Sequence, residues 1–457
     1  MSGHLVDLWG WSHALASFIL WLLSLPLELV NWISFQATGG PAPGVPGLID
    51  FVTGEGLTAF VAVIIAVNIL LLWATAFHLL IIMWIERKMY SRLQDRRGIM
   101  IGLGSAEILR NTLGRIPLIG RPFRRPSHLG TGFLQTVADG VKLFQKEVIT
   151  PATADKWMFH AAPVMIAAST LMLFVAIPWS DGFWLMGAYE SRVVNGAPAV
   201  VPVNPWGILV VLAAFSIAPL GILIAGWASN NKYTLLGGMR AAAQLMSYEI
   251  PMLLSIIALV IYAGTLDPFE LVRNQTAPLT YGLGPYGSLT VPWVQNWYIL
   301  NPILWIAFLV FFITVIAEAE RIPFDIPEAE AELVEGWTTE YSGMRFGIVF
   351  GFKWLRAIAG AALIVILFFG GWSGPVFMTL DAPNLAASGS TYSIPILFQE
   401  FWFTVKVYLI FIVFVWIGWS VPRVRIDQIL NIGWKSLVPL SVLSILLAAL
   451  ARGTGWF

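Results

Sequence analysis

Apolar residues along this chain come in long runs rather than in alternation. Eight runs reach or approach the roughly 20 residues that a helix needs to cross bilayer hydrocarbon. They lie near 58–85, 158–179, 205–228, 246–264, 300–320, 346–371, 399–420 and 434–451. A ninth, near 12–34, contains Pro26 and Glu28, and so either spans or lies in the interface. No basic stretch precedes it, as one would in a signal peptide. Neither a period-2 barrel pattern nor a repeat of fixed length is visible. Backbone polar groups in lipid must pair within their own segment. The predicted fold is therefore all-α: a polytopic transmembrane helical bundle of eight core spans with an extra N-terminal helix. The expected layout is an N-terminal extension over 1–57, a membrane domain over 58–451 and a short tail over 452–457.

The segments between the runs alternate in charge. Residues 86–156, 229–249, 320–345 and 421–435 hold 13, 2, 2 and 3 Lys and Arg; residues 1–57, 179–203, 265–299 and 373–398 hold 0, 1, 1 and 0. Positive charge is retained on the cytoplasmic side, so the first four are predicted to face the cytoplasm, with 86–156 as one large basic loop. That loop suits contact with anionic lipid or with another subunit. Nucleic acid is not an expected partner. Composition agrees: 58% of residues are hydrophobic and 11% charged, against about 25% charged in a soluble domain. Without cysteine the chain offers no thiolate for an Fe–S cluster and no disulfide. Five histidines show no metal-ligand spacing.

The densest chemistry lies in 318–345, where Glu318, Glu320, Asp325, Glu328, Glu330, Glu332, Glu335 and Glu340 are opposed only by Arg321 and Arg345. Pro323 and Pro327 are expected to break the helix leaving the membrane. Asp325 and Glu328 are spaced as a capping box for a new helix, on which Glu328, Glu332 and Glu335 share a face. A solvated acidic loop is the ordinary explanation of such a run. Here the acids follow directly on a span and alternate with apolar residues, so crowding is expected to leave some protonated near neutral pH. Glu249 opens a span within Gln244-Leu-Met-Ser-Tyr-Glu-Ile-Pro-Met252, and ionisable groups at membrane depth default to function. Glu86 closes the first main span, either as a functional acid at membrane depth or as a flanking residue that pairs with Arg87 or Lys88. Lys353, Arg356 and Lys406 fall within predicted spans, with Lys353 and Arg356 on one helix face. Snorkelling would explain the lysines; Arg356 is too deep for it and argues for a polar interior there. The Gly-x-Gly within Ile101-Gly-Leu-Gly-Ser105 lacks the context of a phosphate loop.

Five motifs, in order, resemble those of one membrane-arm subunit of the proton-pumping NADH-quinone oxidoreductase, respiratory complex I: the quinone-tunnel subunit that sits under the peripheral arm. They are Glu86-Arg-Lys88 through Arg96-Arg-Gly98; Ala138-Asp-Gly-Val-Lys-Leu-Phe-Gln-Lys-Glu147; Ala225-Gly-Trp-Ala-Ser-Asn-Asn-Lys-Tyr-Thr-Leu-Leu-Gly237 through Ser247-Tyr-Glu249; Arg321-Ile-Pro-Phe-Asp-Ile-Pro-Glu328 through Glu340-Tyr-Ser-Gly-Met-Arg345; and Pro422-Arg-Val-Arg-Ile-Asp427. The resemblance implies a multi-pass subunit of a bacterial inner membrane that forms the quinone-access tunnel and a carboxylate path coupling quinone reduction to proton translocation. By motif position, Glu86, Glu249, Glu318, Asp325, Glu328, Glu330, Glu332 and Glu340 correspond to that path and the quinone-facing loop. Arg87, Arg240, Arg321, Arg345, Arg423 and Arg425 correspond to cavity-lining or inter-subunit cations. Quinone is the implied substrate. The implied partners are other membrane-arm and peripheral-arm subunits, which carry FMN and the Fe–S clusters; this subunit binds no cofactor of its own.

The chain departs from the family pattern at four places. Lys353 stands where the family has Glu, and Gly418 where it has Arg. A Gly-Pro-Asn run after Gly98 is replaced by an insertion at about 99–129. Residues 1–57 exceed the usual start. Lys353 either pairs with a nearby acid and holds it ionised, or marks a lineage with altered pumping. Three other readings stay open: the equivalent subunit of a ferredoxin- or deazaflavin-dependent complex or membrane-bound hydrogenase, a stand-alone transporter, and a purely structural anchor.

Overall fold

The computed structural model describes residues 78–96, 98, 135–179, 188–194, 197–203, 206–276, 278–282, 288–326, 334–374 and 393–454. The first described helix, α1, covers 78–93. It is followed by α2 (Gln135–Gln145), α3 (Lys156–Ala176), a hairpin of β1 (Ala188–Val194) and β2 (Ala197–Val203), α4 (Gly207–Ala228), α5 (Lys232–Ala263) and α6 (Pro268–Thr276). A second hairpin, β3 (Pro278–Gly282) with β4 (Ser288–Gln295), precedes α7 (Trp305–Glu318) and α8 (Gly343–Phe368). Then come α9 (Ser393–Ser420), α10 (Ile426–Asn431), a π-helical turn (Ile432–Leu437) and α11 (Val438–Thr454), the last three forming one rod.

Six of these helical stretches are long and apolar enough to span a membrane, and Pro302–Glu318 forms a shorter apolar one. The all-α polytopic bundle is thus observed. Seven of the predicted spans are helices, and α1 contains the end of the eighth. The possible N-terminal helix at 12–34, the start of the first span and the insertion at 99–129 lie outside the described residues. Both antiparallel hairpins fall between spans, in stretches poor in positive charge, where the apolar pattern predicted only loops.

Local chemistry explains the boundaries. Asp155 and Asn231 cap α3 and α5 by accepting the backbone N–H groups of Trp157 and Tyr233, which satisfies donors the first turn would orphan. Close packing of α4 on α5 depends on two glycines: a Cβ at Gly226 would lie 2.6 Å from the Thr234 carbonyl oxygen and 3.0 Å from Gly238 Cα. Small residues of this kind let membrane helices approach backbone to backbone. Helix α8 is the centre of the bundle, with every residue from Trp354 to Phe368 buried.

Helix α7 is short. Its 14 residues rise only about 21 Å, because two 3-10 turns at Tyr298–Leu300 and Pro302–Leu304 replace its expected first part. Its C-terminal Glu318 therefore ends among protein, 1% exposed, rather than beyond the bundle. The chain leaves α7 by a Schellman turn: Arg321 N–H donates to the Ile316 carbonyl and Glu320 N–H to that of Ala317. Glu320 takes the left-handed conformation at φ 49°, a position where glycine is usual.

Candidate functional site

The turn after α7 brings most of the predicted charges together at one end of the bundle. Arg321 Nη1 donates to both carboxylate oxygens of Glu86, at 3.0 and 3.3 Å. Tyr90, one turn along α1, donates to the same carboxylate. The guanidinium carbon lies 3.4 Å from the Trp354 ring centroid on α8, a stacked cation–π contact. Glu86 thus pairs across the fold with a residue 235 positions away. The adjacent cation Arg87 turns instead to Asp139 on α2, at 2.5 Å. A cleft beside the pair is lined by Glu86, Tyr90, Arg321, Phe411, Phe414 and Gly418.

Lys353 on α8 lies 3.4 Å from Asp325 Oδ1 and 3.8 Å from Glu320 Oε2. Arg423, from the segment after α9, reaches the other Asp325 oxygen at 3.4 Å. Deeper in the protein, Glu318 is within electrostatic reach of Arg356, Glu249 and Glu320, and its Oε2 has no hydrogen-bond partner among the described residues. Ion pairs therefore join Glu320, Lys353 and Asp325, with the Glu86–Arg321 pair beside them and with Glu318 and Glu249 in electrostatic reach. The backbone of the turn is held by Gln244 of α5, whose side-chain nitrogen donates to the carbonyls of Ala317 and Phe324 at 3.0 and 2.7 Å.

Other predicted site residues take structural positions. Glu340 accepts from the Asn231 side chain at 2.7 Å, tying its motif to the start of α5. Arg345 donates to Thr150 Oγ1 at 2.8 Å and lies 5.6 Å from the Phe159 ring. Gly343, at φ 59°, lets the Lys146–Glu147 backbone pass where a Cβ would be 2.9 Å from a carbonyl oxygen. Tyr341 donates to the Phe159 carbonyl at 3.2 Å; burial raises its hydroxyl pKa, Arg345 pulls the other way, and the neutral phenol suits a donor. Arg240 is half-buried on α5 and Arg425 is exposed before α10. Glu328, Glu330 and Glu332 lie outside the described residues. Glu335 sits in the turn before the 3-10 helix Gly336–Thr338, so the helix expected over 328–335 does not continue through it; Gly336, at φ 60°, bends the chain there.

Two contributors are not evident from the linear pattern of charges. Tyr90 was legible only as an i,i+4 neighbour of Glu86. Trp354 under Arg321 had no local signal. Lys406 donates to the carbonyls of Phe369, Gly371 and Ser373 at 2.8, 3.0 and 2.6 Å. It caps the C-terminal end of α8 rather than snorkelling. Among the described residues no group of His, Asp and Glu is arranged to hold a metal ion.

A family model described as NADH dehydrogenase matches residues 65–449. The chain belongs to the NADH dehydrogenase family. It is thus a membrane-spanning, complex I-type subunit, a component of an NADH-oxidoreductase assembly that works with other subunits. The matched stretch includes every member of the charged network.

Proposed function

We propose that this NADH dehydrogenase family member is the quinone-tunnel subunit of a proton-pumping NADH-quinone oxidoreductase. In this reading it forms the quinone-access tunnel and a carboxylate path that couples quinone reduction to proton translocation. The observation that carries the reading is the cluster of acids and bases at the turn after α7: buried Glu318 and Glu320, the partly buried Lys353 and Asp325 paired beside them, and Glu249 in electrostatic reach of Glu318. A reduced quinone demands protons and negative charge near the turn. Carboxylates close enough to sense one another can pass that demand along as changes in protonation. FMN and the Fe–S clusters belong to partner subunits in this reading, and the charged end faces the cytoplasm of a bacterial inner membrane.

The test is Glu318→Gln in the assembled complex, in sealed membrane vesicles. Electron transfer from NADH to a short-chain quinone analogue is expected to persist in part, while proton uptake falls by more than half. Undiminished proton uptake would remove Glu318 from the path. Mass spectrometry of the co-purifying subunits separates an NADH-fed complex from ferredoxin-, deazaflavin- or hydrogenase-type assemblies by their donor module.

A further inference from the structure

Arg321 uses only part of its hydrogen-bonding capacity. A guanidinium carries its N–H donors in a fixed planar fork. Nη1 holds both oxygens of Glu86, and the indole of Trp354 packs against the group at 3.4 Å. Nε and Nη2 form the fork on the other edge. Both atoms are buried and donate to no described group. Donors on a charged group are costly to leave unpaired in the interior, and native sites supply such groups with a partner from the protein or from ordered water.

The cleft beside the Glu86–Arg321 pair is an independent indication. Its α9 lining is Phe411, Phe414, Val415 and Gly418. The first three are 5% exposed or less, and none of the four has a side chain that accepts a hydrogen bond. The lining also includes the Glu86 carboxylate and the Tyr90 hydroxyl, already bonded to each other. Its volume, about 10 Å³ for the centre of a water-sized sphere, is the space of one water and is too small for a ring, a carboxylate or a phosphate. The neighbouring Glu86 carboxylate also opposes an anion. A neutral acceptor of one heavy atom is what remains.

We propose that this cleft binds one ordered water, which accepts from Nε and Nη2 of Arg321 and donates to the Glu86 carboxylate or the Tyr90 hydroxyl oxygen. Those partners give it the two to four hydrogen bonds that buried waters make. The water completes the bonding of the guanidinium and fixes it between Glu86 and Trp354. Gly418 is the residue that makes room for it: a Cβ there would be 3.2 Å from the Ile322 carbonyl oxygen, so any longer side chain is turned into the cleft. The site stands on the geometry of the pair and does not depend on the proton-path reading.

The test is an electron cryomicroscopy map of the wild-type assembled complex, at a resolution that shows ordered waters elsewhere in the bundle. The expected result is one isolated peak about 2.7–3.2 Å from both Nε and Nη2 of Arg321. An empty cleft beside well-defined waters, or a side-chain or ligand oxygen on the fork, overturns the proposal. Unfolding of the full chain in mild detergent gives a second readout. Val415→Ile adds one methyl group to the cleft. Displacing a bound water without replacing its hydrogen bonds is unfavourable, so the midpoint is expected to fall by about 2 °C or more. In an Arg321→Met background, which lacks the fork, the same substitution is expected to leave the midpoint unchanged or raise it. A midpoint unchanged or raised in the wild-type background identifies a dry gap, and an equal fall in both backgrounds identifies overpacking; either overturns the proposal. Should Arg321→Met fail to fold, the map decides alone.

Discussion

Replacing Arg321 by Met removes the cation that joins α1, α8 and the turn after α7. Glu86 and Arg321 side chains are 2% and 15% exposed, so solvent screens their pairing little. Arg321→Met leaves a buried carboxylate with Tyr90 as its one remaining hydrogen-bond donor among the described residues, and breaking a buried pair costs about 3–5 kcal/mol. The desolvated contact with Trp354 is worth about 2 kcal/mol. Both contacts come from one group and do not add, so the expected loss is about 4 kcal/mol. Arg321→Met with Glu86→Gln leaves no unpaired charge, and its loss should shrink to about 1–2 kcal/mol. The assay is unfolding of the full chain in mild detergent, comparing wild type, both single variants and the double variant. Arg87→Ala serves as the surface control. Its partner Asp139 is closer still, but the two side chains are 34% and 31% exposed, and such a pair is worth about 0–1 kcal/mol. An Arg321→Met loss no greater than that of Arg87→Ala, or a double variant as damaged as the sum of its singles, would refute the reasoning.

Glu320→Gly releases about 1 kcal/mol of backbone strain but removes a partner of Lys353, so its unfolding midpoint should lie above that of Glu320→Ala, which loses the same partner and keeps the strain. Gly237→Ala should destabilise by about 1–3 kcal/mol, since its Cβ would lie 2.6 Å from Trp337 N; Gly140→Ala, with no atom within 4 Å of its added Cβ, should stabilise α2 by about 0.5–1 kcal/mol, and unfolding midpoints in detergent check both signs. Lys406→Met should cost about 3 kcal/mol or more, because three carbonyls at the end of α8 lose a charged donor, with faster protease cleavage near Gly370 to Ser373 as the readout. Gln244→Leu should cost about 1–3 kcal/mol, chiefly through the Phe324 carbonyl that loses its donor, seen as a lower midpoint, with quinone-analogue reduction reduced further than stability alone explains.

The bundle was legible because lipid leaves the backbone few choices: length and hydropathy alone marked α3, α4, α5, α8, α9 and the α10–α11 rod. Helix α7 was only half legible. Its run of apolar residues continues back to Leu300, but Asn301 and Pro302 start a 3-10 turn there, with Asn301 capping Ile303 N–H at 3.1 Å. The site was legible as a set of charged residues and not as a set of pairs. Glu86 beside Arg87 and Lys88 suggested a local partner, whereas the observed one comes from the far side of the sequence. Glu340 and Arg345 sat in the same motif as Arg321, yet they fasten α5 and α3 to the start of α8. Nothing in a linear pattern separates a carboxylate that ends in a charge network from one that caps a neighbouring asparagine. That difference is set by which helices pack together. The Schellman turn was hidden for a related reason: its usual glycine is replaced by Glu320, so the composition signal for the end of α7 was missing.

Lys353 and Gly418, the two positions where the resemblance leads one to expect another charge, converge on one segment from different helices. Gly418 on α9 lines the cleft that holds Glu86, Tyr90 and Arg321. A Cβ there would be 3.2 Å from the Ile322 carbonyl oxygen and 3.7 Å from Ile322 Cβ, so the glycine lets the backbone next to Arg321 lie against α9. A long cation at 418 would enter a cleft already occupied by the Arg321 guanidinium, and like charges at short range in a buried site repel strongly. Lys353 approaches the same turn from α8, where Asp325 and Glu320 receive it. Gly418 thus leaves the cleft on the α9 side to Arg321, while Lys353 brings positive charge from α8 to Glu320 and Asp325. On this geometry the lysine at 353 is a counter-charge facing Glu320 and Asp325, and the glycine at 418 leaves room beside Glu86 for the Arg321 guanidinium.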